Sequence, residues 1–165
     1  MVDANEENVS LVAEVLTDAT IYKANLGDLA WGTEGWSDQE VQDSMSESIM
    51  YLVYYGGIVA GTVSLQWEDL RNWGDNVANA GYMHRLAVKD EFHGLGLGSQ
   101  IVEQVMRTAA NNGKDFLRLD CEESNKGLCA YYEKLGFVKV GIRHVPEYGD
   151  YVAALYEVSL SQSDL

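Results

Sequence analysis

The chain has 165 residues, of which 47% are hydrophobic and 22% charged. This length predicts a single domain over residues 1–165, and no apolar run approaches the roughly 20 residues of a membrane-spanning helix. Eleven Lys and Arg stand against 26 Asp and Glu, which gives a net charge of −15. A field of that sign disfavours nucleic acid and anionic membranes as partners and favours a cation, although solubility alone accounts for the acidity equally well.

The two cysteines carry no recognisable chemistry. Cys121 and Cys129 form neither a metal-binding motif nor a disulfide framework. The acidic N-terminal segment lacks the basic start and the apolar stretch of a signal peptide. We therefore expect a reduced, cytoplasmic protein with two buried thiols and no metal site.

The first half of the chain predicts two helices followed by a β-hairpin. Asn5 can cap a first helix that ends near Asn25, and a Ser-x-x-Glu capping box at Ser37 begins a second helix. Gly56 and Gly57 separate two β-rich segments, which is typical of a tight hairpin turn. The apolar positions of the first helix are Val9, Val12, Ala13 and Leu16, and the two strands are residues 49–55 and 58–67.

The second half predicts strands alternating with helices. A polar stretch over residues 68–80 predicts a long loop, and Asn112-Gly113 and Gly136 are helix stop signals. The predicted strands are residues 82–88, 116–121, 137–143 and 152–160, and the helices begin near Ser99 and Asn125. This order predicts an α/β domain with a mixed sheet and helices on its faces.

Three glycines, Gly94, Gly96 and Gly98, alternate between a predicted strand and an amphipathic helix. Glycine lets main-chain N–H groups approach a ligand closely, and the helix N-terminus adds unpaired donors and a positive dipole end. This favours pyrophosphate binding over a turn that only reverses the chain. The spacing differs from the G-x-G-x-x-G dinucleotide fingerprint, and the Gly-Lys-Ser/Thr ending of the nucleoside triphosphate loop is absent.

The glycine segment resembles the pyrophosphate motif of the GNAT superfamily of acyl-CoA-dependent N-acetyltransferases, Gln/Arg-x-x-Gly-x-Gly/Ala. Gly96 and Gly98 occupy the glycine positions, and His93 stands where Gln or Arg is usual. A second segment, residues 125–137, is similar to the superfamily's Asn…Tyr-Glu-Lys-Leu-Gly-Phe, with Asn125 and Tyr132 in register. The two motifs occur in the expected order, and the resemblance covers about residues 49–160.

The resemblance implies a mixed, mostly antiparallel sheet split around a cofactor cleft, and acetyl-CoA as the cosubstrate. The main chain of residues 86–88 would bind the pantetheine arm and polarise the thioester oxygen, and Asn125 would also touch that arm. The cofactor-binding residues so implied are Leu86, Ala87, Val88, His93, Gly94, Leu95, Gly96, Leu97, Gly98, Ser99, Asn125 and Tyr132.

The resemblance also implies catalytic roles. It assigns Tyr132 as the general acid that protonates the CoA thiolate, because a tyrosine of pKa about 10 stays protonated at neutral pH. Tyr131, about 100° round the helix, is the structural alternative. The amine must also lose a proton. Asp120 is the first candidate for the base, because its position matches the catalytic glutamate of ribosomal-protein alanine acetyltransferases. His84 is the second candidate, and the third possibility is that no single residue acts as the base.

In this superfamily the first two helices and the loops between strands form the acceptor cleft. The residues there are Trp31, Glu34, Trp36 and Trp73, together with the loop over residues 144–150. Aromatic rings and carboxylates could bind a cation, although packing between helices explains Trp31 and Trp36 as well.

We therefore expect direct acetyl transfer to a small cationic amine, with no nucleic acid or membrane partner. A protein N-terminus or lysine as acceptor, and a non-catalytic CoA-binding regulatory module, are the alternatives, and a homodimer is left open. The superfamily normally begins with a short strand, which is here either rudimentary or not wholly within the sequence.

Overall fold

The computed structural model describes residues 1–75, 78–145 and 149–160. In chain order the elements are β1 (Val2–Asp3), α1 (Val9–Asn25), α2 (Asp38–Glu47), β2 (Ile49–Tyr55), β3 (Ile58–Gln66), α3 (Leu70–Trp73), β4 (Ala80–Val88), α4 (Leu97–Asn111), β5 (Phe116–Glu122), α5 (Lys126–Lys134), β6 (Val138–His144) and β7 (Val152–Ser159).

The strands form one mixed sheet in the order β1-β2-β3-β4-β5-β7-β6. β4 and β5 pair in parallel, whereas β1 with β2, β2 with β3, β5 with β7 and β6 with β7 pair antiparallel. The predicted α/β class with a mostly antiparallel sheet flanked by helices is therefore confirmed. None of the helices in the described ranges combines the length and apolar character needed to cross a membrane.

The chain divides into two compact units. Unit 1 comprises Met1–Gln66 and His84–Gln104, and unit 2 comprises Trp67–Met83 and Val105–Leu165. The division falls within β4, so that one strand contributes to both units.

The core of unit 1 lies under α1. The apolar stripe predicted for this helix is buried, and it packs with Val41 of α2 and with Met50 and Leu52 of β2. Asn5 caps a 3-10 turn over Glu6–Asn8, which leads directly into α1. A helix-period apolar stripe thus buries one face of α1, as the spacing predicted.

Two local signals in unit 1 are confirmed. Ser37 Oγ accepts a hydrogen bond from the Glu40 N–H at 3.3 Å, and Glu40 Oε2 accepts one from the Ser37 N–H at 2.8 Å. Gly56 and Gly57 both have positive φ, 59° and 84°, which is the conformation of a two-residue type I′ hairpin turn. These side chains and glycines therefore set the bounds of α2 and of the β2–β3 hairpin.

A short strand lies before α1, where the resemblance found in the sequence implied one. β1 has two residues, and Val2 and Asp3 pair antiparallel with Leu52 and Tyr51 of β2. The main-chain N–H of Ala4 then donates to Met50 O at 2.8 Å. The pairing is enough to join this segment to the edge of the sheet.

Unit 2 differs from the sequence prediction between β3 and β4. Residues 68–80 were expected to form a loop, but they include the short helix α3, whose first turn is capped by Asp69. Asp69 Oδ1 accepts a hydrogen bond from the Asn72 N–H at 3.0 Å. The helical turn buries Trp73, which packs with Ala80 and Tyr82. A helix of four residues is too short to show a periodic apolar pattern. The prediction therefore followed the polar character of the whole stretch and missed the helix.

The capping box gives a test of local stability. We expect Ser37→Ala to lower the free energy of unfolding by about 1 kcal/mol, because the first turn of α2 loses its side-chain acceptor. Urea unfolding measures the change. Ser46→Ala is the control, because Ser46 is an exposed residue within α2 whose hydroxyl bonds the Asp43 carbonyl and alanine is the better helix former there. Equal losses in both variants would contradict the capping role.

Candidate active site

The turn between β4 and α4, in unit 1, has the backbone of an anion-binding loop. Gly94 and Gly96 have φ of 79° and 73°, a left-handed conformation that side chains rarely adopt. A Cβ on Gly94 would meet nothing within 4 Å, and one on Gly96 would meet only Ser99 Oγ at 3.9 Å. The turn is therefore open on the side where a ligand would approach. Gly98 lies inside α4, which begins at Leu97, two residues before the predicted start.

His93 ties this turn to the end of β4. Its Nε2 lies 2.9 Å from Val88 O, and its ring meets the Tyr22 ring edge-on at 4.4 Å. Since a carbonyl oxygen only accepts, Nε2 carries the proton and donates it. The imidazole is thus directed at the strand, and a contribution of His93 to phosphate binding would come from its main chain.

One non-glycine residue among those that the structure describes has a positive φ, and it lies in the second half of β4. Arg85 has φ of 51°, immediately before residues 86–88. Ala87 O lies so close to Gly61 that a Cβ there would be 2.6 Å from it. Such conformations are uncommon and are maintained only where the surrounding structure over-determines them. Positive φ is signalled by Gly, Asn or Asp, so the sequence offered no sign of it at Arg85.

His84, the second candidate base, is held by its own unit. Its carbonyl accepts a hydrogen bond from Ser64 Oγ at 3.1 Å, and its Nε2 lies 3.4 Å from Gln66 Nε2. The direction of that second contact depends on the tautomer of the imidazole.

The tryptophans between α1 and α2 lie together. Trp31 and Trp36 meet edge-to-face with centroids 6.3 Å apart. Lys23 Nζ lies 5.5 Å from the Trp31 centroid, and Arg85 Cζ lies 5.6 Å from that of Trp36. The predicted cation-binding rings therefore already carry two cations of the chain itself. The third predicted residue, Glu34, is exposed.

Trp36 is also attached to α1. Its indole Nε1 donates to Thr20 Oγ1 at 3.1 Å, and its main-chain N–H donates to Thr17 Oγ1 at 2.8 Å. These bonds fix the start of α2 against α1. They support the structural alternative for Trp36 without testing its role as a substrate contact.

In unit 2, Tyr132 lies on the buried face of α5. Asn125 caps this helix, and its Oδ1 accepts from the Leu128 N–H at 3.0 Å. Tyr132 is only 7% exposed, and its ring meets those of Tyr131 and Phe137 edge-on. Burial, and to a lesser extent nearby groups that can carry negative charge, raise the pKa of Tyr132 well above its usual value. The hydroxyl therefore stays protonated at neutral pH and can act as a donor.

Asp120, the first candidate base, lies on β5. Its Oδ2 accepts a hydrogen bond from the Tyr151 hydroxyl at 3.2 Å. Tyr151 was not among the residues predicted from the sequence. It precedes β7 by one position, so only the pairing of β5 with β7 places it beside Asp120.

The two cysteines of unit 2 are buried, as predicted. Cys121 on β5 and Cys129 on α5 are free, and their sulfurs lie 3.8 Å apart. Burial raises the pKa of the Cys121 thiol, and the neighbouring Cys129 adds to the effect. Cys121 is therefore a protonated, unreactive thiol at neutral pH.

Trp73 is a core residue of unit 2. It is 3% exposed, and the Arg118 guanidinium lies 4.3 Å from its ring centroid. Arg118 Nε in turn donates to Glu157 Oε2 at 2.6 Å. A substrate contact by Trp73 stays a prediction. Part of the predicted acceptor loop over residues 144–150, namely residues 146–148, lies outside the described residues.

One protein of similar sequence and one solved structure of similar fold are N-acetyltransferases by name. The N-alpha-acetyltransferase MAK3 of Arabidopsis thaliana is 29% identical over 91 residues, which are 55% of this chain and 45% of that protein. The ribosomal-protein-S18-alanine N-acetyltransferase of Escherichia coli has a similar fold, with a TM-score of 0.70, 18% identity, and coverage of 99% of this chain and 96% of that one. The chain spans less than half the length of the curated relatives that it matches.

A third protein was solved with a ligand. A GNAT family acetyltransferase from Elizabethkingia anophelis with acetyl-CoA bound matches with a TM-score of 0.63 and 20% identity, over 74% of this chain and 83% of that one. At these identities the structural likeness shows the fold alone. The family itself is shown by residues 19–137, well over half of the chain, which match the model of the Acetyltransferase (GNAT) family. This chain therefore belongs to the GNAT acetyltransferase family.

Proposed function

We propose that this chain transfers the acetyl group of acetyl-CoA directly to an amine. The observation that carries the proposal is the turn between β4 and α4, where two glycines of positive φ leave an open main-chain surface before a helix N-terminus. Membership of the GNAT family supports acetyl-CoA as the donor. The bound acetyl-CoA of the Elizabethkingia anophelis protein, which shares the fold, is consistent with it.

Acetyl-CoA, when bound, supplies an acetyl thioester that an amine can attack. Main-chain N–H groups of residues 93–99 and the dipole of α4 would hold its pyrophosphate. The backbone of residues 86–88 would bind the pantetheine arm and donate a hydrogen bond to the thioester oxygen, where negative charge develops. Asn125, which already caps α5, would touch the same arm.

Tyr132 would give a proton to the departing thiolate. A free thiol has a pKa of about 8.5, so the thiolate is basic enough to take a proton from a positioned donor. The raised pKa of Tyr132 keeps its hydroxyl in the donor form. This supports the acid role that the second motif implies.

Asp120 would accept a proton from the amine. An alkylammonium of pKa about 10.4 must lose one proton to expose the attacking lone pair and a second as the amide forms. One of these protons balances the one that Tyr132 gives up, and the other is released to water. His84, beside Gln66, is the alternative acceptor.

For the acceptor, we propose a small cationic amine. The net charge of −15 attracts a cation. At Trp31 and Trp36 such a cation would compete with Lys23 and Arg85 for the ring faces. The names of the Arabidopsis thaliana and Escherichia coli proteins favour a second candidate, the N-terminus of a protein. A cytoplasmic location goes with either candidate and is part of the same proposal.

Thiol release tests the function itself. We expect the chain to release CoA from acetyl-CoA in the presence of polyamines, amino sugars or peptides with a free N-terminus, and the preferred class identifies the acceptor. Acetyl-CoA at 100 times its Kd should also stabilise the fold by about 2.7 kcal/mol. A chain that acetyl-CoA does not stabilise would disprove the proposal, and one that is stabilised but releases no thiol would be a CoA-binding module.

The glycine turn gives the second test. We expect Gly96→Ala to weaken acetyl-CoA binding at least about tenfold, because a Cβ strains the left-handed backbone that presents the donors. Gly113→Ala is the matched control, since Gly113 has φ of 71° and ends α4 with nothing within 4 Å of a Cβ. Both variants should lose similar stability, but only Gly96→Ala should change the Kd in calorimetry. Equal Kd values would exclude the turn as the phosphate site.

The acid assignment gives the third test. We expect Tyr132→Phe to lower kcat by about 100-fold or more, within the range of general acid catalysis, and to leave the Kd of acetyl-CoA within about threefold. Tyr131→Phe, which removes the neighbouring hydroxyl from the same helix, is the control and should keep kcat. An unchanged kcat in Tyr132→Phe, or an equal loss in both variants, would rule out Tyr132 as the specific acid.

A further inference from the structure

Tyr151 contributes a hydroxyl beside the carboxylate that the proposed reaction uses. Its O–H donates to Asp120 Oδ2 at 3.2 Å. Burial, together with the Asp120 carboxylate, raises the pKa of Tyr151, so the hydroxyl keeps its proton at neutral pH. Tyr151 is therefore a permanent donor in this pair, and Asp120 is the acceptor.

The main chain around Tyr151 is held by two neighbouring strands. Tyr151 O accepts a hydrogen bond from the Val145 N–H at 3.3 Å, just after β6. The next carbonyl, Val152 O, accepts from the Glu123 N–H at 2.8 Å, just after β5. Tyr151 is thus attached to the end of the same strand that carries Asp120.

The register of that strand pair explains the contact. Asp120 on β5 lies opposite Leu155 on β7, and Glu122 lies opposite Ala153. Because the two strands are antiparallel, the residues that precede Ala153 lie past the carboxyl end of β5. From there the side chain of Tyr151 extends back to Asp120. The strand pairing fixes the main chain next to Tyr151, which leaves the side chain few rotamers. The hydrogen bond from its hydroxyl therefore restrains the orientation of the Asp120 carboxylate.

We propose that Tyr151 is a positioning residue for the transfer reaction, which orients the Asp120 carboxylate to accept a proton from the amine. The inference rests on the proposed function, because it takes Asp120 as the proton acceptor. Tyr151 exchanges no proton itself. A carboxylate has about four acceptor sites on its two oxygens, so a hydrogen bond from Tyr151 leaves capacity for the incoming proton.

The chain offers a matched control on β7, the strand that directly follows Tyr151. The Tyr156 hydroxyl donates to Glu133 Oε1 at 2.9 Å, and this pair has no part in the proposed reaction. Tyr156→Phe and Tyr151→Phe therefore each remove one tyrosine–carboxylate hydrogen bond from unit 2 and keep the ring. They differ in whether the carboxylate is Asp120.

The experiment is a double-mutant cycle on kcat with the best acceptor of the amine panel. Asp120→Asn should lower kcat by about 100-fold, and Tyr151→Phe by about tenfold. The KM for acetyl-CoA should stay within about twofold in both. If Tyr151 acts only through Asp120, the double variant should be no slower than Asp120→Asn alone. Tyr156→Phe should keep kcat within about twofold.

Effects that multiply in the double variant would overturn the inference, since Tyr151 would then act independently of Asp120. An equal loss of kcat in Tyr156→Phe would also overturn it, since the effect would be one of general stability. Melting temperatures establish that each variant is folded during the assay. Should Tyr151→Phe fail to fold, the same cycle is run with Tyr151→Leu, which also lacks a donor, and is judged by the same criterion. A wild-type chain that releases no CoA with any amine would instead reject the proposed function.

Discussion

The left-handed backbone at Gly94 and Gly96 is the constraint on which the proposed chemistry depends. Donors for a phosphate must be main-chain N–H groups that no helix or strand uses, and they must point away from the protein. A chain that leaves β4 and enters α4 within a few residues meets both requirements only by turning through positive φ. Side chains at these two positions would strain that turn. In the proposed function, the identity of these two residues would thus decide whether the turn can present its N–H groups to a phosphate.

His93 shows how a departure from a family pattern can be accommodated. Where the superfamily has Gln or Arg, this chain has an imidazole that donates to Val88 O and packs against Tyr22. The side chain therefore ties the turn to the end of β4. In a chain with a net charge of −15, binding of an anionic cofactor would rely on main-chain donors and the helix dipole, which act at short range, whereas salt screens the repulsion from distant exposed carboxylates.

In unit 2, burial has a consistent effect on the hydroxyl groups. It raises the pKa of both Tyr132 and Tyr151, because removing a phenolate from water costs more than removing a phenol. Both residues are therefore donors at neutral pH, and Asp120 is suited to the opposite role. In the proposed reaction, Tyr132 would thus have a proton to give, and Tyr151 would keep its own while it donates to Asp120.

Local features of the structure could be predicted from the sequence, because they depend on residues close together in the chain. The capping box of Ser37, the Gly56-Gly57 turn and the helix stop at Gly113 each follow from one or two residues and their own backbone preferences. The glycine turn belongs to the same class, and the order of strands and helices followed from apolar periodicity. By itself the sequence therefore determined the fold class and the family, and it led to the proposed cofactor segment. Tertiary structure alone decided that Tyr151 bonds Asp120, that Trp73 is buried under Arg118, and that Lys23 and Arg85 cover Trp31 and Trp36. These contacts join residues 8 to 49 positions apart, and most depend on strand register and helix packing, which no local pattern encodes.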